Sequence, residues 1–305
     1  MALLKLRPSY KDYLWGGHRL VEKYNKEFDG DILAESWELS CHPDGPSYVV
    51  NGSYAGKTLQ EYIDLEGKKV LGNNCQKFEE FPILAKFIDA KDNLSIQVHP
   101  DNEYALKNEG QYGKTEMWYI MDCEEGAFLY YGFKKEVSKE EFEERIKTDT
   151  LLEVLNAVPV HKGDVLFIEA GTIHAIGKGI VIAEIQQNSN VTYRVYDFGR
   201  VGKDGKKREL HIDKAVEVTN RVPISRKNTC YPHVASCDYF TVDCLNMDGK
   251  LISNVKGSVN EDSFVSILIM EGEGTISCGE ETIPYRRVTA SLCQQEVVNM
   301  KLTEV

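Results

Sequence analysis

Several features that would place a chain in a large class of proteins are missing from this one. Its eight cysteines, at 41, 75, 123, 230, 237, 244, 278 and 293, form no C-x-x-C pair and no zinc-finger spacing. A disulfide framework and a thiolate metal knuckle are thereby excluded. No apolar run approaches the roughly 20 residues of a membrane span. The opening MALLKLRPSYKDYLWGG is too short in apolar residues for a secretion signal and has no small-residue cleavage site. A cytoplasmic protein with reduced thiols and no membrane partner is expected. Basic residues are in deficit, with 36 Lys and Arg against 48 Asp and Glu and a formal charge of −12. Nucleic acid requires a basic face, so it is excluded as a partner. Low-complexity tracts, heptads and short-period repeats are also absent.

What remains is ordinary globular material, 42% hydrophobic and 28% charged over 305 residues. That length suits two modest domains with a sizeable core. Short strand-like runs separated by Gly and Pro, with few helices, point to a β-sandwich or jelly roll. Capping boxes at Thr58-Leu59-Gln60-Glu61, Ser138-Lys139-Glu140-Glu141 and Thr150-Leu151-Leu152-Glu153 mark helix starts. The last two define a helical insert at about 138–157, with Phe142, Ile146, Leu152 and Leu155 on its buried side. Asp101 is expected to cap a helix through Lys107, and Asp213 to Thr219 to form another. Domains are expected at 1–225 and 226–305, the second a smaller β-barrel. That second part holds FVSILIM at 264–270, one histidine, His233, and no ligand set. PYRRVTASLC at 284–293 lacks the Gly-Asp turn of a repeated barrel.

Three segments carry chemistry. In Ser95-Ile96-Gln97-Val98-His99-Pro100-Asp101 strand alternation puts Gln97 and His99 on one face and Ile96 and Val98 on the other. An amide oxygen beside an imidazole makes half of a metal site. In Lys114-Thr115-Glu116-Met117-Trp118 the same alternation aligns Lys114, Glu116 and Trp118. Glu116 and His174, from Ala170-Gly171-Thr172-Ile173-His174, complete a set of two nitrogens and two oxygens. Taken singly, each is more often a satisfied polar group at a strand end than a ligand. Lys86, inside the apolar run FPILAKFID, reads on sequence alone as a snorkelling edge lysine. Glu184 lies in the apolar run Ile180 to Ile185, where burial would raise its pKa and suit it to act as a base, unless a cation pairs it. Arg194, alternating with apolar neighbours in TYRVY, needs an anionic partner.

SIQVHPD, KTEMWY, AGTIHAIG and IAEIQQNSNVTYRVYDFGR, with WGG and AESWE near the start, resemble the type I phosphomannose isomerases in their short bacterial form. The likeness is dense over about residues 1–220 and loose beyond. It implies a mainly β fold of two cupin-like jelly-roll barrels with a small helical insert. Gly163 to His174 fits the second cupin motif, except that Glu169 replaces a proline, so a less rigid turn is expected there. The implied activity is ketol isomerisation of mannose 6-phosphate and fructose 6-phosphate through a cis-enediol. Gln97, His99, Glu116 and His174 become the ligands of one divalent ion per chain. Zn²⁺ comes first, and Mn²⁺, Fe²⁺ or Co²⁺ suit the same set. Arg194 becomes the catalytic arginine, Lys114 and Glu184 further catalytic groups, and Lys86 and Ser95 phosphate-side residues. Some relatives use an aspartate where this chain has Asn190, which cannot act as a base. Lys86, Lys114, Arg194 and Arg200 are the candidate cluster for a hexose 6-phosphate on an acidic protein. A monomer or homodimer is expected. A sugar-phosphate sensor and a metal-dependent cupin oxygenase are the alternatives.

Overall fold

The computed structural model describes residues 3–202, 205–224, 229–247, 252–285, 290–293 and 296–304. Two antiparallel sheets dominate. The larger runs in the order Val165–Ile168, Glu116–Cys123, Ile180–Gln187, Ile83–Ala90, Glu35–Leu39 and Ser9–Lys11. The smaller runs Tyr193–Tyr196, Ile96–Val98, His174–Ala175, Phe128–Phe133 and Leu155–Pro159. They lie face to face, because Ile88, Trp118, Ile120, Leu166 and Ile182 of the first share one buried cluster with Leu129 and Tyr131 of the second. The architecture is mainly β and cupin-like, with few and short helices.

The central strands Ile83–Ala90 and Ile180–Gln187 are buried at every residue. Strands covered on both faces read as continuous apolar runs, which is why neither alternates in sequence. Lys86 and Glu184 therefore point into the interior, 6% and 3% exposed, and the edge reading of Lys86 is corrected. On the smaller sheet Ile96, Val98, Ala175 and Val195 pack outward under the helices Lys139–Lys147 and Ile212–Val218, against Phe142, Ala215 and Val216. Truncating a fully buried ring such as Phe142 costs about 3–5 kcal/mol. This outer packing leaves Gln97 on the inner face, as the alternation requires.

The caps at Thr58, Asp101 and Ser138 form as expected, each side chain accepting from the amide three residues on. Such a cap is worth about 1 kcal/mol. Thr150 does not cap a helix: Leu151–Glu153 is a single 3₁₀ turn, and Leu155 opens a strand. Pairing of Leu155–Pro159 with Phe128–Phe133 overrides the local signal.

Leu3–Arg7 pairs with Ala290–Cys293 in a sheet that also contains Val265–Leu268 and Tyr48–Val49. Leu3 lies in one cluster with Val259, Ile276 and Cys278. Opposite ends of the chain thus share a sheet. The boundary expected at 225 and residues 286–289 of PYRRVTASLC lie outside the described residues. His233 is exposed and bonds Asp243 through Nδ1. Among the described residues no helix is long and apolar enough to cross a membrane.

Candidate active site

The site lies between the two sheets. On the smaller one, His174 pairs with Gln97 and Gln97 with Arg194 across neighbouring strands, so the three side chains share the inner face. The larger sheet contributes Glu116 and, two strands over, Lys86 opposite Glu184. The turn before His174 needs Gly171, whose φ is 85° and whose added Cβ would stand 3.0 Å from Val218 O. Backbone bonds from Gly171 N to His99 O (2.8 Å) and from Thr172 N to Glu169 O (3.0 Å) tie this turn down, where the loss of the motif's proline suggested looseness.

The imidazoles and the carboxylate meet. His174 Nε2 is 3.4 Å from Glu116 Oε1, and His99 Nε2 is 3.7 Å from Glu116 Oε2. All three residues are 1% exposed or less. Each histidine uses Nδ1 on a backbone carbonyl, His99 on Val191 O (2.9 Å) and His174 on Thr172 O (2.8 Å). A carbonyl only accepts, so Nδ1 carries the hydrogen and Nε2 presents a lone pair to the carboxylate. Neither ring is charged near neutrality. Burial, with Lys114 and His174 adding to it, holds His99 well below the ordinary value. Burial takes His174 down to about 4. With Glu116 ionised, lone pairs therefore face lone pairs, and His99 Nε2 and Glu116 Oε1 have no hydrogen-bond partner among the described residues. Such an arrangement is costly without a cation between the donors and favourable with one. The donor set fits a divalent metal ion, and His99, Glu116 and His174 can hold it.

Gln97 stands beside this group, its Nε2 3.4 Å from His174 Nε2 and its Oε1 3.5 Å from Ser95 Oγ. Turning the amide over would bring its oxygen to His174 Nε2. Ser95, expected on the phosphate side, directs its hydroxyl at Gln97.

Next to the ligands is a buried network of opposite charges. Lys86 Nζ is 3.0 Å from Glu184 and 3.6 Å from Glu35, and Lys114 Nζ is 3.2 Å from Glu116 and 3.7 Å from Glu184. Trp118 is core, as expected, and its Nε1 also donates to Glu184 Oε2 at 2.8 Å. Burial pushes the Glu184 carboxyl up, but Lys86 and Lys114 pull it down further, and the net direction is downward. The expectation of a raised pKa at Glu184 is corrected, because its partners are cations that the sequence placed 98 and 70 positions away. Burial likewise works to lower Lys86, and Glu184, Glu35 and Glu116 more than reverse it. Glu116 rises to about 7 through burial and the Glu184 charge, against the pull of Lys114 and Lys86.

Arg194 is half-buried. Its Nη1 donates to Glu209 O at 2.9 Å, and its Nε has no hydrogen-bond partner among the described residues. Arg200 and Arg208 gather nearby around Asp197, Arg208 Nε donating to it at 2.8 Å. Arg200 and Arg208 both pair with Asp197, and Arg194 feels the charges of all three. Sequence reading named neither Arg208 nor Glu35 as a site residue. Glu35 lies in the AESWE segment, and Arg208 in a basic loop without further signal.

Fold and site together define a cupin-like protein with a buried metal-binding group, a charge-paired carboxylate and an arginine cluster. Residues 3–128 match the family described as Phosphomannose isomerase type I, catalytic domain. A mannose-6-phosphate isomerase of Streptococcus mutans is 38% identical over 282 residues, covering 90% of this chain and 86% of that protein. The crystal structure of the Bacillus subtilis mannose 6-phosphate isomerase superposes with a TM-score of 0.89 at 31% identity, covering 100% of this chain and 98% of that one. A zinc-bound mannose 6-phosphate isomerase shares the fold, with a TM-score of 0.76 at 15% identity and 100% of both chains covered. This chain belongs to the type I phosphomannose isomerase family.

Proposed function

We propose that the protein is a metal-dependent isomerase interconverting mannose 6-phosphate and fructose 6-phosphate, with one Zn²⁺ per chain held by Gln97, His99, Glu116 and His174. The observation that carries this reading is the convergence of the His99 and His174 Nε2 lone pairs on Glu116, directly beside the Lys86–Glu184–Lys114 network. When bound, a divalent ion supplies Lewis acidity toward the C1 and C2 oxygens of the open-chain sugar.

The chain's own groups do the rest. Glu184 is kept ionised by two ammonium groups, so it is ready to accept a proton from C2 or C1, and Lys86, 3.0 Å away, moderates the charge it gives up. Trp118 holds the second carboxylate oxygen and so fixes the direction of the first. Lys114 and Arg194 offer donors to the enediolate oxygens, and preorganised donors of that kind are worth about 3–4 kcal/mol each. Arg200 and Arg208, which gather at Asp197, form the anchor for the 6-phosphate. Ser95 orients Gln97. Asn190 stands on the exposed rim, where it hydrogen-bonds Asp44, and takes no part as a base.

A sensor has no need of a base clamped between lysines, and an oxygenase has no need of the arginine cluster. Isomerisation of mannose 6-phosphate by metal-stripped protein, then with Zn²⁺, Mn²⁺ or Co²⁺ restored singly, tests the proposal. Activity that vanishes on stripping and returns with one ion supports it and names the metal. Folded, metal-loaded protein without turnover sinks it. We place the enzyme in the cytoplasm as a monomer or homodimer.

A further inference from the structure

The polar run Gln186-Gln187-Asn188-Ser189-Asn190 takes no part in the chemistry above, yet four of its five side chains, all but Asn188, are hydrogen-bonded. Gln186 and Ser189 are 0% and 1% exposed. The Gln186 carboxamide donates twice into the turn that follows it, to Gln187 O at 2.8 Å and to Ser189 O at 2.7 Å. Ser189 Oγ donates to Tyr112 O at 2.7 Å and accepts from Val191 N at 3.3 Å. Gln187 accepts from Thr115 N and donates to Asn102 Oδ1, both at 2.9 Å. At the rim Asn190 donates to Asp44 Oδ2 at 3.0 Å. An ordinary surface turn needs none of these bonds. What they fix is the residue that comes next. The Val191 carbonyl accepts the His99 Nδ1 hydrogen at 2.9 Å, and that bond decides which ring nitrogen faces Glu116.

We propose that Gln186 is a positioning residue for His99. Its carboxamide holds the backbone at residues 187 and 189, and Ser189 Oγ carries the tie on to Val191 N, so that the Val191 carbonyl sets the tautomer and aim of the imidazole. The strength of divalent-ion binding at His99, Glu116 and His174 follows from it. The inference rests on the metal reading of the site. Glutamate at 186 would be a poor probe, because the position lies opposite Glu116 on the neighbouring strand and would add a second buried carboxylate. Methionine keeps the bulk and removes the donors.

Loss of a partner that orients a metal ligand costs about 10–100-fold in affinity. The test is a double-mutant cycle on the metal-stripped full chain, with Zn²⁺ affinity measured by chelator competition. Gln186→Met is expected to weaken Zn²⁺ about tenfold in the wild-type background and again with His174→Ala, but less than about twofold with His99→Ala. Equal losses in all three backgrounds would mean general loosening and overturn the proposal, as would no loss in the wild type. Should Gln186→Met fail to fold, Ser189→Ala removes another tie on the same backbone and is judged by the same cycle. Wild-type protein that binds no Zn²⁺ would sink the metal reading itself, a result distinct from tight wild-type binding with an indifferent Gln186→Met.

Discussion

Metal binding at this site should release one proton per ion, and over a defined pH window. In the metal-free protein Glu116 titrates at about 7, raised first by burial and then by the Glu184 charge. His174 titrates at about 4 and His99 is also held well below the ordinary value, so neither ring carries a proton to give up near neutrality. An ion needs the carboxylate ionised and both imidazoles neutral. The sign follows: a raised carboxyl pKa favours the protonated, metal-free form below about 7, so affinity climbs with pH up to that point and levels off above it. At pH 6 about nine-tenths of Glu116 is protonated, so each Zn²⁺ should displace roughly 0.9 proton, falling to roughly 0.1 at pH 8. Apparent affinity should fall about tenfold per pH unit below 7. Calorimetric titration in two buffers of different ionisation enthalpy measures the proton count directly. Release of about two protons at pH 6 would show a charged histidine in the metal-free site and refute the assignment of Nε2 as a lone pair. No release would show Glu116 already ionised, with Lys114 dominating its burial.

Glu184→Gln should lower kcat by about 10²–10⁴-fold while equilibrium dialysis finds sugar-phosphate binding nearly unchanged, and a fully active variant would remove Glu184 from proton transfer. Arg194→Ala should lower kcat/KM by about 10²–10³-fold, whereas an effect confined to thermal stability would make the arginine structural. Lys86→Met leaves Glu184 and Glu35 buried without their shared ammonium and should cost about 3–5 kcal/mol in urea unfolding at pH 7. A cost below about 1 kcal/mol would mean that these carboxyls are protonated in the variant and that the network is held by hydrogen bonds alone.

Much of the metal group was legible because strand alternation has a period of two. Once Ile96 and Val98 are assigned to a core, Gln97 must face the other way, and the structure puts both isoleucine and valine under the helices. Meeting of the segments was less legible, since His99, Glu116 and His174 come from different strands, and only the recognised motifs connected them. Charge states were least legible. A lone glutamate in IVIAEIQQ looks like an acid raised by burial, and only the register of Glu184 against Lys86 reveals the opposite. The Thr150 cap failed for a related reason, because strand pairing outweighs a signal worth about 1 kcal/mol. Pairing of Leu3–Arg7 with Ala290–Cys293 leaves no local trace, since it links positions at the two ends of the chain.

An acidic protein that binds a sugar phosphate has an electrostatic problem, and the layout of this site resolves it locally. Counted formally, Glu35, Glu116 and Glu184 face Lys86 and Lys114, one negative charge in excess. Alone, that cluster would repel an anion. A divalent ion among His99, Glu116 and His174 reverses the balance to one positive charge, since the imidazoles are neutral. Arg200 and Arg208 at Asp197, with Arg194 within reach of their charges, add a second positive region. Charges beyond about 8 Å are largely screened at physiological salt, so the overall −12 weighs little against these neighbours. The ion is thus needed twice, for the chemistry at C1 and C2 and for the sign of the field in which the phosphate is received. Neutral histidines are what make the second role work: charged ones would have no Nε2 lone pair with which to hold the ion.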